Sequence, residues 1–230
     1  MSWIGDTASL YGRVFRRGAE LARRGWPIAF AVLLYTVLLQ LAIGFAMQLG
    51  IVGGVLVTIA MAACVSSWLA LVEHMLRSGK VSLTDLPASF GAYLGDLLAV
   101  GFLLFLLRLI ASLVLAPFPF LEIVFGLATL VFFNAVPELI YLARHGAADL
   151  LVASYRFIGE NWVEWFPANL VLLVIVLATG LLVPDGPYGL VSGFAAGLVT
   201  TYAWIVRGLL FLELTSSSRR GREFKRRAAM

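Results

Sequence analysis

Charge is scarce in this sequence, and between Arg24 and Glu73 it is missing altogether. Charged residues make up 13% of the chain and hydrophobic ones 61%, where soluble domains run at about 25% and 45–50%. So little charge cannot cover so much apolar surface in water. The composition excludes an ordinary soluble domain and suits hydrocarbon as the solvent.

Cysteine is nearly absent too. A lone Cys64 rules out a disulfide within one chain and any cysteine-cluster metal site. Set in an apolar stretch, it reads as a packed thiol behaving as a small hydrophobe. The two histidines, His74 and His145, fall at predicted helix ends, and no His-Glu-x-x-His pattern exists. Phosphate-binding glycine loops and dinucleotide fingerprints are also missing. These absences predict no enzyme, no cofactor and no bound metal. The net charge of +4 sits at the ends of apolar segments, which speaks for orientation in a membrane rather than for a nucleic-acid partner.

What is present is a series of long apolar runs. One span needs about 20 residues, so the uncharged interval after Arg24 holds two, Pro27–Gln48 and Ile51–Val72. Gly50, Gly53 and Gly54 supply the turn between them. A second pair covers Leu97–Leu115 and Phe120–Tyr141, linked by Ala116-Pro117-Phe118-Pro119. A third covers Phe166–Val183 and Gly189–Leu209, linked by Pro184-Asp185-Gly186-Pro187. Proline stops the first helix of each of these pairs. Residues 1–25 lack an apolar core, so the first span reads as a retained membrane helix and not as a cleaved leader.

The loops on alternate sides differ sharply. One set carries Arg13, Arg16, Arg17, Arg23 and Arg24, then Arg77 and Lys80, then Arg144 and Arg156, and a tail from Arg219 to Arg227; the other carries no lysine or arginine. The positive-inside rule then places both termini in the cytoplasm, in what reads as a bacterial inner membrane. Trp26, Trp162 and Trp165 fall at predicted inner boundaries and Tyr188 at an outer one.

Each pair is preceded by a segment with an apolar side. In residues 10–24, Leu10, Tyr11, Val14, Phe15, Leu21 and Ala22 cover one side; Arg13, Arg16, Arg17, Glu20, Arg23 and Arg24 cover the other. Such a helix lies in the headgroup layer with its arginines drawn to anionic lipid. Leu83, Leu86, Phe90 and Tyr93 space the second segment, and Leu151, Tyr155, Ile158 and Trp162 the third. Ala8-Ser9-Leu10-Tyr11, Ala88-Ser89-Phe90 and Ala153-Ser154-Tyr155 occupy comparable places, and a shift of 65 residues carries Pro119 onto Pro184. This predicts a threefold internal repeat.

The basic start, the paired helices and the ending Leu209-Leu210-Phe211-Leu212-Glu213-Leu214, followed by Arg219-Arg220-Gly221-Arg222-Glu223, resemble a bacterial group. It comprises the membrane domain attached to some glycerophosphodiester phosphodiesterases, with its stand-alone relatives. Phe211 and Glu213 stand where that group has tyrosine and aspartate. The resemblance implies a membrane domain, and without a catalytic barrel it carries over no phosphodiesterase activity.

Four intramembrane polar residues stand out as a candidate site. Arg108 falls near the middle of the third span, where an unpaired charge costs roughly 2.5–3.5 kcal/mol or more; an ion pair with Glu122 across the hairpin is expected. Asn134 and Glu138 flank Pro137 in the fourth span, where proline releases a backbone carbonyl and polar groups could line a cavity. Glu73 and His74 read as a solvated boundary, and Arg207 as a side chain that snorkels. Gly189, Gly193 and Gly197 form a small-residue row for close helix packing.

The sequence therefore predicts a single all-α membrane domain of six transmembrane helices in three hairpins, each preceded by a cytoplasmic amphipathic interfacial helix. Residues 1–25 form the basic segment, 26–80, 81–145 and 146–214 the three units, and 215–230 a cytoplasmic tail. The function expected is an accessory or scaffolding subunit, with anionic lipid and other membrane subunits or a second copy as partners. Its rival is a transporter or channel subunit using Arg108, Glu122, Asn134 and Glu138. A lipid-modifying enzyme is a distant third.

Overall fold

A computed structural model describes residues 3–143, 146–182 and 189–216. Among them there are helices and no strands, as expected where backbone groups must bond within their own segment. Six helices are long and apolar enough to cross a membrane: Pro27–Ala46, Gly50–Ser78, Leu94–Leu115, Pro119–Ala143, Ala148–Thr179 and Gly193–Ser216. The Pro184–Pro187 link, Tyr188, Arg144, His145 and the arginine-rich tail lie outside the described residues.

Helix α1 spans Trp3–Arg24. Leu10, Val14 and Leu21 are buried while Arg13, Arg16, Arg17, Glu20, Arg23 and Arg24 are exposed, following the division read from the sequence. Its buried side packs on the final helix, α9 (Gly189–Ser216). Phe15 meets Tyr202 there at 6.4 Å between ring centroids. The Tyr11 hydroxyl donates to the Glu164 carbonyl at 2.7 Å. Burial and the nearby Glu164 carboxylate raise the Tyr11 phenol above its usual pKa.

Helices α2 (Pro27–Ala46) and α3 (Gly50–Ser78) pack closely along their length. Gly50 turns the chain with φ +56, a left-handed conformation that glycine adopts without strain. At Gly53 a Cβ would fall 2.1 Å from the Ala46 carbonyl oxygen, so only glycine lets the second helix start so near the first. Cys64 is buried and free.

The three leading segments take three different forms. The second is a 3-10 turn at Leu83–Asp85 running into the four-residue α4 (Leu86–Ser89), with Ser82 and Asp85 forming a capping box. It is pinned to the bundle by hydroxyls. Ser67 bonds both Tyr35, at 2.6 Å, and Ser89, and the Tyr93 amide donates to Ser66 at 2.8 Å. The third is no separate helix: α8 runs unbroken from Ala147 to Leu182 with Pro167 inside it. The expectation of a distinct interfacial helix before the fifth span is corrected accordingly. Leu150, Phe157 and Ile158 are already buried in its first turns, so the bundle core begins before the membrane-length apolar run does.

Helix α5 is Leu94–Leu115, and the fourth span is two pieces, α6 (Pro119–Phe132) and α7 (Val136–Ala143). The packed core lies at the end of the bundle where the charged residues collect. Ile28, Leu69, Met75, Tyr141, Ile158, Trp165, Ile205 and Leu210 are all fully or almost fully enclosed there. Towards the opposite end, where the interhelical links lie, apolar side chains face outwards: Ile51, Leu113, Phe120 and Leu181 are all strongly exposed. In water such a surface would associate; in hydrocarbon it costs nothing.

Candidate functional site

The break between α6 and α7 builds the most polar point of the core. Pro137 has no N–H and cannot bond the Phe133 carbonyl one turn back. Three carbonyls at the break find other donors. The Ser154 hydroxyl donates to Phe132 O at 2.8 Å, and the Val136 amide donates to Phe133 O at 3.2 Å. Arg207 Nη2 donates to Asn134 O at 2.9 Å.

Arg207 comes from α9 and does more than close the break. Its Nε donates to Glu138 Oε1 at 2.7 Å and its Nη2 to Oε2 at 3.0 Å, a two-point grip on the carboxylate. Glu138 is fully buried. The guanidinium lies 5.3 Å from the ring centroids of both Trp165 and Trp204, close enough for cation–π attraction. Trp165 Nε1 in turn donates to Asn134 Oδ1 at 3.0 Å. Four residues from α7, α8, α9 and the break thus satisfy one another.

Measured by helix rise, Arg207 lies about 27 Å from Gly189, Glu138 about 28 Å from Pro119 and Trp165 about 26 Å from Leu182. The three reach one level because each starts a similar distance away on its own helix. That level sits at the far edge of a hydrocarbon core of about 30 Å. Here an arginine could reach headgroups, and the structure gives it a protein partner instead. The expectation that Arg207 snorkels is therefore corrected.

A second ionic group lies nearby on α3. The Tyr93 hydroxyl donates to Glu73, and Glu73 pairs with Arg77 at 2.8 Å. Glu73 was expected to be a solvated boundary residue; it is half-buried and holds Tyr93, while His74 is exposed. Trp26 and Trp162 face outwards as a boundary belt would have them, but Trp165 is completely buried.

Of the four residues proposed from sequence, the structure joins Asn134 and Glu138 and leaves Arg108 and Glu122 apart. Among the described residues the ion pairs are Arg77–Glu73 and Arg207–Glu138. The expected Arg108–Glu122 pair is absent: both residues are exposed and line one cleft between α5 and α6. The reason is geometric. Helix side chains lean towards their own N-terminus, and these antiparallel neighbours lean opposite ways. Arg108 also starts about 10 Å from the link end of α5, and Glu122 about 4–5 Å from that of α6.

Two glycines of the predicted row touch α2. A Cβ on Gly193 would meet Leu33 Cδ2 at 3.0 Å, and one on Gly197 would meet the Ala29 carbonyl oxygen at the same distance. Gly208 was not singled out in the sequence, yet a Cβ there would come within 2.5 Å of Leu76 and 2.8 Å of the Tyr141 hydroxyl. Its spacing from Gly197 is too wide to extend the row. The signal that could have found it is its offset of eleven residues from Gly197, about three turns, which returns it to nearly the same side of α9.

A scan against protein-family models finds no match, and searches of curated proteins and of solved structures find none either.

Proposed function

We propose that this chain is an accessory or scaffolding subunit of a membrane complex, in which the helical bundle itself is the working part. One observation carries the reading: the buried charge is enclosed. Glu138 is fully buried with both oxygens bonded, and the Arg207 guanidinium lies 5.3 Å from the ring centroids of two tryptophans. A transport path needs its charges to meet water in turn. A charge held on every side fixes helices in place.

In this reading the basic end faces the cytoplasm of a bacterial cell, with both termini inside. Helix α1 then lies along the inner leaflet as an amphipathic interfacial helix. Its exposed arginines support this, since each basic residue near an anionic surface contributes about 1 kcal/mol of attraction. Arg13, Arg16 and Arg17 also border a cleft of about 590 Å³ against Leu209 and Leu212. The packing of α2 on α3, of α5 on α6 and of α8 on α9 supports three hairpins. The family resemblance read from the sequence agrees with a membrane-resident role.

Purification of the tagged full chain in mild detergent, with brief chemical cross-linking beforehand, tests the function. A partner recovered in constant ratio, or a defined homo-oligomer, supports scaffolding. A lone monomer that carries solute or ion flux into proteoliposomes, with flux lost in Arg207→Leu, overturns it.

A further inference from the structure

We propose that the cleft between α5 and α6 is a binding site for a zwitterionic phospholipid headgroup carrying a primary ammonium, of the phosphatidylethanolamine type. The cleft has a volume of about 290 Å³ and is lined by Leu104, Arg108, Ser112, Glu122, Gly126 and Thr129 among others. It holds one cation and one anion that do not bond each other, an arrangement that an apolar bilayer leaves costly on its own.

The hydrogen-bonding inventory selects the ligand. Ser112 donates its hydroxyl proton to Leu109 O at 2.9 Å, and Thr129 donates to Phe125 O at 2.9 Å. Their oxygens therefore face the cleft as acceptors only. With the Glu122 carboxylate they make a set of acceptors suited to an –NH₃⁺ group, which brings three donors. Arg108 supplies the opposite need, a planar fork of N–H groups matched to phosphate. A quaternary ammonium offers no donor, and a polyol headgroup offers no charge for Glu122.

Depth selects the orientation. The guanidinium starts about 10 Å from the link end of its helix, and the carboxylate about 4–5 Å. A lipid in that leaflet carries its phosphate nearer the acyl chains and its ammonium nearer water, so phosphate meets Arg108 and ammonium meets Glu122. Phe105, Leu109 and Ile110, all exposed on α5, offer a surface for the acyl chains. The site is independent of the scaffolding proposal, since it requires only that the bundle sit in a bilayer.

The test is native mass spectrometry of the full chain after exchange into an equimolar mixture of phosphatidylethanolamine, phosphatidylcholine and phosphatidylglycerol with identical acyl chains. The expected result is retention of phosphatidylethanolamine over the other two by about tenfold, the worth of one charge-assisted contact of about 1.4 kcal/mol. Glu122→Gln should erase that preference, and Arg108→Leu should release all three lipids. A series of N-methylated ethanolamine lipids needs no variant, and retention should fall with each methyl added. Equal retention of the three lipids, or no fall along that series, overturns the proposal. So does a second copy of the chain covering the cleft, detected as a dimer that Arg108→Leu dissociates.

Discussion

Arg207 holds Glu138 through both carboxylate oxygens, at 2.7 and 3.0 Å, and bonds the Asn134 carbonyl with the same guanidinium. One side chain thus joins α9 to α7 and closes the helix break between α6 and α7. Removing one partner strands the other charge without a counter-ion. Arg207→Leu or Glu138→Leu alone should destabilise the bundle by about 3–5 kcal/mol. The double substitution should recover much of that loss, because it leaves no stranded charge. Reversible unfolding in mixed micelles measures all three; a double variant as unstable as the sum of the singles contradicts the pairing.

Arg108 should behave in the opposite way. Among the described residues it has no ion-pair partner, and it is exposed, so Arg108→Leu removes nothing seen to hold helices together. Stability in the same micelles should change by less than about 1 kcal/mol. A loss as large as that for Arg207→Leu would place Arg108 among the structural residues.

Trp165 tests the polar node more gently. Its indole N–H donates to Asn134 at 3.0 Å while its ring faces Arg207. Trp165→Phe keeps an aromatic face and loses the donor, for an expected cost of about 1–2 kcal/mol. Trp162 is exposed on the same helix, and Trp162→Phe should be close to neutral.

Helix contacts at glycine give a steric prediction. Gly208→Val would drive a Cβ into Leu76 and the Tyr141 hydroxyl, and overpacking of this kind costs about 1–3 kcal/mol. Gly101 sits in α5 with nothing within 4 Å of a built Cβ. Gly101→Ala should be neutral or stabilising, since alanine favours the helix by up to about 1 kcal/mol. Protease protection of detergent-solubilised variants ranks the two; equal protection would mean that α9 does not pack on α3 and α7 as described.

The large features were legible because they rest on local pattern. Uninterrupted apolar runs gave the spans, and Gly50, Gly53 and the Ala116–Pro119 link gave the turns. The arginine side of α1 followed from a single 3.6-residue period. Partner choice was not legible. Arg108 and Glu122 are close along the chain and looked like a pair, yet opposite side-chain tilts keep them apart. Glu138 and Arg207 are separated by 69 residues, and no periodicity links them. Asn134, Pro137 and Glu138 marked the place of the break correctly, but the donor that closes it arrives from a helix whose depth only the fold sets. The continuity of α8 was hidden for a related reason: the apolar run from Phe166 and the amphipathic spacing before it read as two segments, whereas one helix carries both, with the exposed Pro167 inside it.

That helix has a geometric consequence. At 36 residues it measures about 54 Å, while the hydrocarbon layer is about 30 Å thick and spans rarely lean beyond about 40°. Even at such a lean, about 10 Å of its height must lie outside the hydrocarbon, in the headgroup layer. Asp149, Arg156 and Glu160 are all exposed towards that end of the helix. The protein therefore presents a small, stiff, charged ledge at headgroup level, although its composition excludes an ordinary water-soluble domain.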